Sequence, residues 1–390
     1  MPVMLRAGHG LILLVIALLG FGVVMVTSAG LSVEQGTTIN PVDVLQGRSA
    51  ILALLAVAAL LIGMWVPVQW LHRAGGPLSP IPWMVLVMIG LLIAVHIPGI
   101  GKEVNGARRW IEIGPISFQP SELAKWGLLI VIAWHCARRV GSMNRFFTGF
   151  APPMILVGVI CALIATEDLG TAVLIGAVSV ALLVAGGARV GHALLLLPIG
   201  VVGFMAAVIA SPYRAARLQA FLGPFDDPQG IGYHVIQSMA AVAGGGLPGR
   251  GLGASVQKFG YLPEDTTDFL FAIICEELGI VGACVVVGLY VCLLLCGLSI
   301  IKRVDHPFGR LLGLGVVLTI GLQAFINMAV VTGIAPTKGI ALPLLSSGGT
   351  GWIVTAFFVG LLVSMDRQQA KQQREIEAVT FQCKPTTACT

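Results

Sequence analysis

Charge is scarce in this chain. Only 11% of its 390 residues are Asp, Glu, Lys or Arg, against 57% that are hydrophobic. A water-soluble globule carries about 25% charged residues and covers itself with them. At less than half that share, a soluble enzyme, a disordered chain and a nucleic-acid binder are all excluded. Cysteine gives no disulfide framework. Cys136, Cys161, Cys275, Cys284, Cys292 and Cys296 fall in or beside apolar runs, where a thiol acts as a small hydrophobe. Cys383 and Cys389 fall in a tail expected on the reducing side of the membrane. None has a histidine at metal-ligand spacing. There is no repeat of fixed period, no strand ahead of the glycine-rich turn to make a nucleotide loop, and no His–Asp partner for a serine nucleophile.

What the chain has in abundance is apolar length. Runs of about 17–25 residues cross a bilayer as helices. Ten occur, near 10–29, 50–66, 82–99, 122–137, 148–166, 169–188, 190–211, 269–300, 311–332 and 351–365. They predict an all-α polytopic membrane protein of about ten transmembrane helices. The first run follows Arg6 as a secretory signal would, but its apolar stretch is longer and nine more spans follow, so it is read as uncleaved. Ten spans put both termini on one side. Of the 23 lysines and arginines, thirteen fall there, Arg73, Arg138, Arg139 and Lys384 among them, which predicts cytoplasmic termini. One large extracytoplasmic loop, about 212–268, precedes the eighth helix. Its low charge and its apolar stretch Val235–Val242 predict a segment folded back on the membrane with a re-entrant half helix. Residues 1–366 are read as the transmembrane domain and 367–390 as a cytoplasmic polar tail.

The few charges near the outer helix ends need reasons, because an ionised group at the bilayer centre costs about 2.5–3.5 kcal/mol. Snorkelling accounts for Glu122, Lys125, Glu167, Asp168, Glu276 or Glu277 singly. All six in one layer, together with Asp268 and basic loop residues, point to a polar cavity open to the outer side. In GARRWIEIGPISFQPSELAKW (106–126), Arg108 and Arg109 are planar forks suited to phosphate. Ser121 reads as a cap for the span that carries Glu122 and Lys125. Arg214 and Arg217 share a helical face. GGGLPGRGLGASVQKFGYLPEDTTDFLFAIICEELG (244–279) carries Arg250 and Lys258 and leads to Asp268, Glu276 and Glu277 at the head of a long apolar helix. In PTKGIALPLLSSGGTGW (336–352), Lys338 and Ser346 sit just ahead of the last span, where hydroxyls and backbone N–H groups suit an anion or a sugar.

The strings RRWI, FQPSELAK, DLGTA, GLGASVQKFGYLPEDTTDF, EELG, NMAVVTG and PTKGIALPLLSSGG resemble those of the SEDS family of shape, elongation, division and sporulation polytopic proteins. The resemblance runs over nearly the whole chain to about residue 366, and VQKFGYLPE ahead of TDF is closer to the division-type branch. It implies a peptidoglycan glycosyltransferase of the bacterial cytoplasmic membrane, placed at the division septum. Such an enzyme polymerises lipid II, an undecaprenyl-diphosphate-linked disaccharide pentapeptide, on the outer face. A lipid II flippase and an elongation-type polymerase are the alternatives. The resemblance makes Asp268 the essential carboxylate and puts Arg108, Arg109, Glu122 and Lys125 at the cavity. Glu276 and Glu277 match the family's paired glutamates. It further implies a class B penicillin-binding protein (a transpeptidase), other divisome proteins and membrane lipids as partners, and no nucleic acid. The chain departs from the family at Glu167-Asp168 (usually Pro-Asp), Thr266-Thr267-Asp268 (His-Thr-Asp) and Ser346–Gly351 (Ser-Tyr-Gly-Gly-Ser-Ser). Glycosyl transfer from a lipid diphosphate needs cations for the leaving group and a base for the acceptor hydroxyl. Asp268 suits the base; in the alternative it holds a divalent cation, Mg or Mn. Lys125 is expected to pair with Asp268 or with a phosphate.

Overall fold

The computed structural model describes residues 6–30, 47–68, 70, 80–104, 107–113, 116–259, 261–262, 265–347 and 349–382. Arg73, Lys384, Cys383 and Cys389 lie outside them. The described helices are α1 (Ala7–Ala29), α2 (Arg48–Trp65), α3 (Pro80–Ala94), α4 (Pro120–Arg138), α5 (Ala151–Ala165), α6 (Leu169–Ala185), α7 (Val190–Ile209), α8 (Pro212–Leu222), α9 (Tyr233–Gly244), α10 (Leu270–Ile301), α11 (Pro307–Val331) and α12 (Thr350–Gln382).

Each of the ten apolar runs coincides with one of these helices. Seven helices are long and apolar enough to cross a membrane, α5 counting with the π-helical turn Phe146–Phe150 before it. Of the other three, α3 and α6 are shorter, and α4, at 19 residues, carries Glu122, Lys125 and Arg138. Prolines open α4, α8 and α11 in the first turn, where a missing N–H does no harm. The cap position expected of Ser121 belongs instead to Gln119, because the helix starts two residues earlier than the apolar pattern suggests. Asp168 caps α6 by accepting from the Thr171 N–H at 3.0 Å.

In a membrane, helices associate through close packing rather than through expulsion of water. Gly63 and Gly360 let α2 and α12 touch backbone to backbone; a Cβ at either would strike a carbonyl of the other helix, Phe357 O or Leu60 O. Helix α12 runs unbroken through residue 366 to Gln382, so the polar tail begins as a continuation of the last span.

Two features depart from a set of plain helices. Between α3 and α4 the chain makes a small antiparallel sheet of β1 (Gly101–Val104), β2 (Ala107–Ile113) and β3 (Ile116–Phe118), in the order β1-β2-β3. Helix α10 is broken at Gly279, whose φ of 64° and ψ of −161° belong to no helix. The freed carbonyls of Glu276 and Glu277 accept from the N–H groups of Arg250 and Gly251 at 3.0 and 2.9 Å. The glycine-rich turn after α9 is thereby plugged into the break. The expected half helix is α9, twelve residues that pack on α10 and α11.

Candidate active site

A cavity of about 660 Å3 opens at the end of the bundle where α4, α6, α10 and α12 begin and α5, α7 and α11 finish. Its lining includes Arg109, Glu122, Lys125, Glu167, Asp168, Arg214, Arg217, Asp268, Lys338 and Ser346. All ten are residues that the sequence had singled out: eight as catalytic or substrate-binding, and Glu167 and Asp168 as members of the outer polar layer.

Helix α4 supplies Glu122 and Lys125 one turn apart. Lys125, with only 3% of its side chain exposed, donates to Glu122 Oε1 at 2.8 Å and to Gln323 Oε1 of α11 at 3.0 Å. Its partners within the chain are thus Glu122 and Gln323 rather than Asp268. Asp268 sits in the turn leading into α10, one residue ahead of the N-cap Phe269. The loop 336–347 closes over it. A Cβ on Gly339 would lie 2.9 Å from Asp268 Oδ2 and 3.8 Å from Arg109 Nη1, so the carboxylate and the guanidinium both crowd that glycine. The loop is pinned by Tyr290, whose hydroxyl donates to Pro343 O at 2.6 Å. A second pin is the Ser347 N–H, which donates to Thr266 O at 2.9 Å. Ser346 serves the same loop: its Oγ accepts from the Leu342 N–H at 3.1 Å, and its carbonyl accepts from Trp352 Nε1 at 2.6 Å.

The cations around the cavity differ in how far they are already engaged. Arg109 donates to Glu167 O at 2.6 Å and lies 3.8 Å from Asp168 Oδ2. Arg214 donates to the carbonyls of Ala165 and Thr166 at the end of α5 and of Ala207 near the end of α7. Arg217 lies over the Tyr213 ring at 4.5 Å and reaches Thr337 O only at 3.5 Å. Lys338 sits over the Phe204 ring at 4.8 Å. Burial lowers its pKa from the ordinary lysine value, and the charge of Asp168 opposes that shift. Arg217 and Lys338 are therefore the cations best placed to take an incoming anion.

Four residues proposed from sequence stand elsewhere. On β2 successive side chains point to opposite faces, so Arg109 lines the cavity while Arg108 reaches Glu103 at 3.4 Å. Arg250, Lys258 and Glu277 join Glu276 in a separate cluster behind the site. Lys258 donates to Glu277 Oε1 at 3.4 Å and to Gly253 O and Ser28 O at 2.7 and 3.2 Å. Ser28 donates to Glu277 Oε2 at 2.6 Å, and Arg250 Nη1 lies 3.1 Å from Glu276 Oε1. Both glutamates are buried, and the cluster ties the plug at Gly279 to α1. The single outward layer expected from the sequence is thus two groups, a cavity and a latch.

Two polar groups that support the site, Gln323 and Asn327, were outside the sequence reading. Their only signal was faint, two amides four residues apart in an otherwise apolar run. For a divalent cation on Asp268 the fit is poor: among the described residues no three of His, Cys, Asp and Glu come together as a ligand set. Two other acids of the cavity, Glu122 and Asp168, already face Lys125 and Arg109.

A bundle of apolar, membrane-length helices with a polar, cation-lined cavity at one end defines a polytopic membrane protein with a site suited to an anionic group. The model of the FtsW, RodA and SpoVE cell cycle proteins matches residues 9–371, and the chain belongs to that family. It is 40% identical to a probable peptidoglycan glycosyltransferase FtsW of Alkalilimnicola ehrlichii, over 97% of this chain and 95% of that one. It is 39% identical to a protein of the same name from Geobacter metallireducens, over 91% and 93%. Among solved structures it is similar to a chain of a peptidoglycan synthase complex that coordinates polymerization and crosslinking. That match has a TM-score of 0.71 and 28% identity, over 92% of this chain and 97% of the other. The rod shape determining protein RodA of Thermus thermophilus matches with a TM-score of 0.65 and 25% identity, over 92% and 96%. The chain is accordingly a multi-pass membrane protein of the SEDS family.

Proposed function

We propose that this protein is a peptidoglycan glycosyltransferase that polymerises lipid II into glycan strands on the outer face of the bacterial cytoplasmic membrane, during cell division. The observation that carries the reading is the convergence, in one cavity, of the Asp268 carboxylate with Arg109, Arg217 and Lys338. Asp268 takes the proton from the acceptor sugar's 4-hydroxyl. The freed oxygen bonds to the donor's anomeric carbon as the bond from that carbon to the diphosphate oxygen breaks, and the lipid diphosphate leaves with the electron pair. Arg217 and Lys338 meet the charge that grows on the departing group.

The catalytic unit is residues 1–366, with 367–390 a tail outside it. A class B penicillin-binding protein is the partner that crosslinks the product, and the division septum, among other divisome proteins, is its place of work. Asp268→Asn keeps the shape of the side chain and removes its basicity. Purified with its transpeptidase, this variant is expected to elute as the wild type does yet make no glycan from lipid II. Strand synthesis at the wild-type rate would refute the role of Asp268. Lipid II crossing vesicle membranes without strand formation would favour a flippase.

A further inference from the structure

We propose that Gln323 and Asn327 form a positioning ladder on α11 that sets the Asp268 turn against the 336–347 loop and the Lys125 ammonium. The proposal rests on the reading of Asp268 as the base of the polymerase. The two amides stand at i and i+4, on one face of the helix, in the run GLQAFINMAVV. Both are buried. A buried amide needs partners, or it costs more than the apolar residue it replaces. Here the partners come from three different parts of the site.

On the first rung, Gln323 Oε1 accepts from Lys125 Nζ at 3.0 Å while its Nε2 donates to Ala341 O at 2.8 Å. On the second, Asn327 Nδ2 donates one hydrogen to Asp268 O and the other to Ile340 O, both at 2.7 Å. The oxygen of the same amide, Oδ1, is buried with no partner among the described residues. A side chain selected only for packing would not leave a buried acceptor empty in order to aim two donors at two carbonyls. Those carbonyls belong to the base and to the loop that carries Lys338 and Gly339. The ladder therefore joins base, anion-binding loop and Glu122–Lys125 pair through one rigid helix. Asn327 does not line the cavity, so it acts through Asp268 rather than on substrate.

The test uses the full-length protein in detergent with its transpeptidase and lipid II, comparing Asn327→Asp and Gln323→Met with the wild type. Asn327→Asp keeps the shape and exchanges the double donor for oxygen. The expected result is a fall in kcat on the order of a hundredfold, as for a base displaced by about 1 Å. KM for lipid II should stay within about threefold; the unfolding temperature should fall, since two carbonyls lose their donor, but the kcat loss should persist well below it, where the variant is fully folded. Because both residues hold one loop, the double variant should lose less than the product of the two single effects. Wild-type kcat in Asn327→Asp would overturn the ladder alone. So would a loss of activity that merely tracks a lower unfolding temperature with kcat and KM moving together. If the wild type itself made no strands, the polymerase reading would fall, and the ladder's role with it.

Discussion

Among single residues, the cavity separates cations whose donors are already engaged from cations held in reserve. Lys125 and Arg214 are bound to groups within the protein, whereas Lys338 faces an aromatic ring and loses part of its hydration. Its lowered pKa has a checkable consequence. In the free enzyme Lys338 is charged below its own pKa and neutral above it, and burial moves that point below the ordinary value of 10.5. Affinity for an anionic lipid should be flat at lower pH, then fall by roughly tenfold per unit as pH rises past that point. Lys338→Arg keeps the charge throughout and should flatten the alkaline limb of a KM-against-pH profile. The folding term has the opposite sign. Between the folded and unfolded values the unfolded chain binds the extra proton, so this group's effect on stability rises with pH in that window. The sequence marked Lys338 as a cation near the site, but its state depends on Phe204 and Asp168, which are remote in the chain.

In the helices and strands, local rules explain where the sequence reading succeeded and where it split. The apolar runs were legible because a bilayer demands length and apolarity, and both are written in the chain. The pair Arg108-Arg109 was not legible as one cavity residue and one strand-surface residue until β2 was known. Its period of two divides what a loop would have kept together. The EELG string was not legible as a break, because Glu276 and Glu277 look like cavity acids until Gly279 leaves the helix between them and the next turn. Only glycine adopts that backbone without a penalty of about 1–3 kcal/mol, and a Cβ there would press to 2.8 Å from Gly246 O. Gly279→Ala should therefore eject the glycine-rich plug and expose the Lys258–Glu277 cluster. The variant should show a clearly lower unfolding temperature and poor recovery in the membrane fraction. A variant with wild-type stability would show that the break contributes little.

For the whole molecule, the arrangement predicts an orientation. If both termini are cytoplasmic, a single cysteine placed at Gln229, exposed between α8 and α9, should react with a membrane-impermeant maleimide added to intact spheroplasts. One placed at Gln372, exposed near the end of α12, should react only after lysis. The reverse pattern would invert the topology. The order of apolar and charged residues by itself determined that this is a membrane protein, where its apolar helices run and roughly where polar chemistry collects. Those properties follow from the transfer of side chains out of water, which is additive along a sequence. The division of the buried charges into a cavity and a latch, the engagement of Lys125 by Glu122 and Gln323, and the amide ladder beneath Asp268 were decided only in three dimensions. Hydrogen bonds have direction, and their partners here come from helices hundreds of residues apart, as Ser28 and Glu277 do. Linear spacing carries no trace of that geometry.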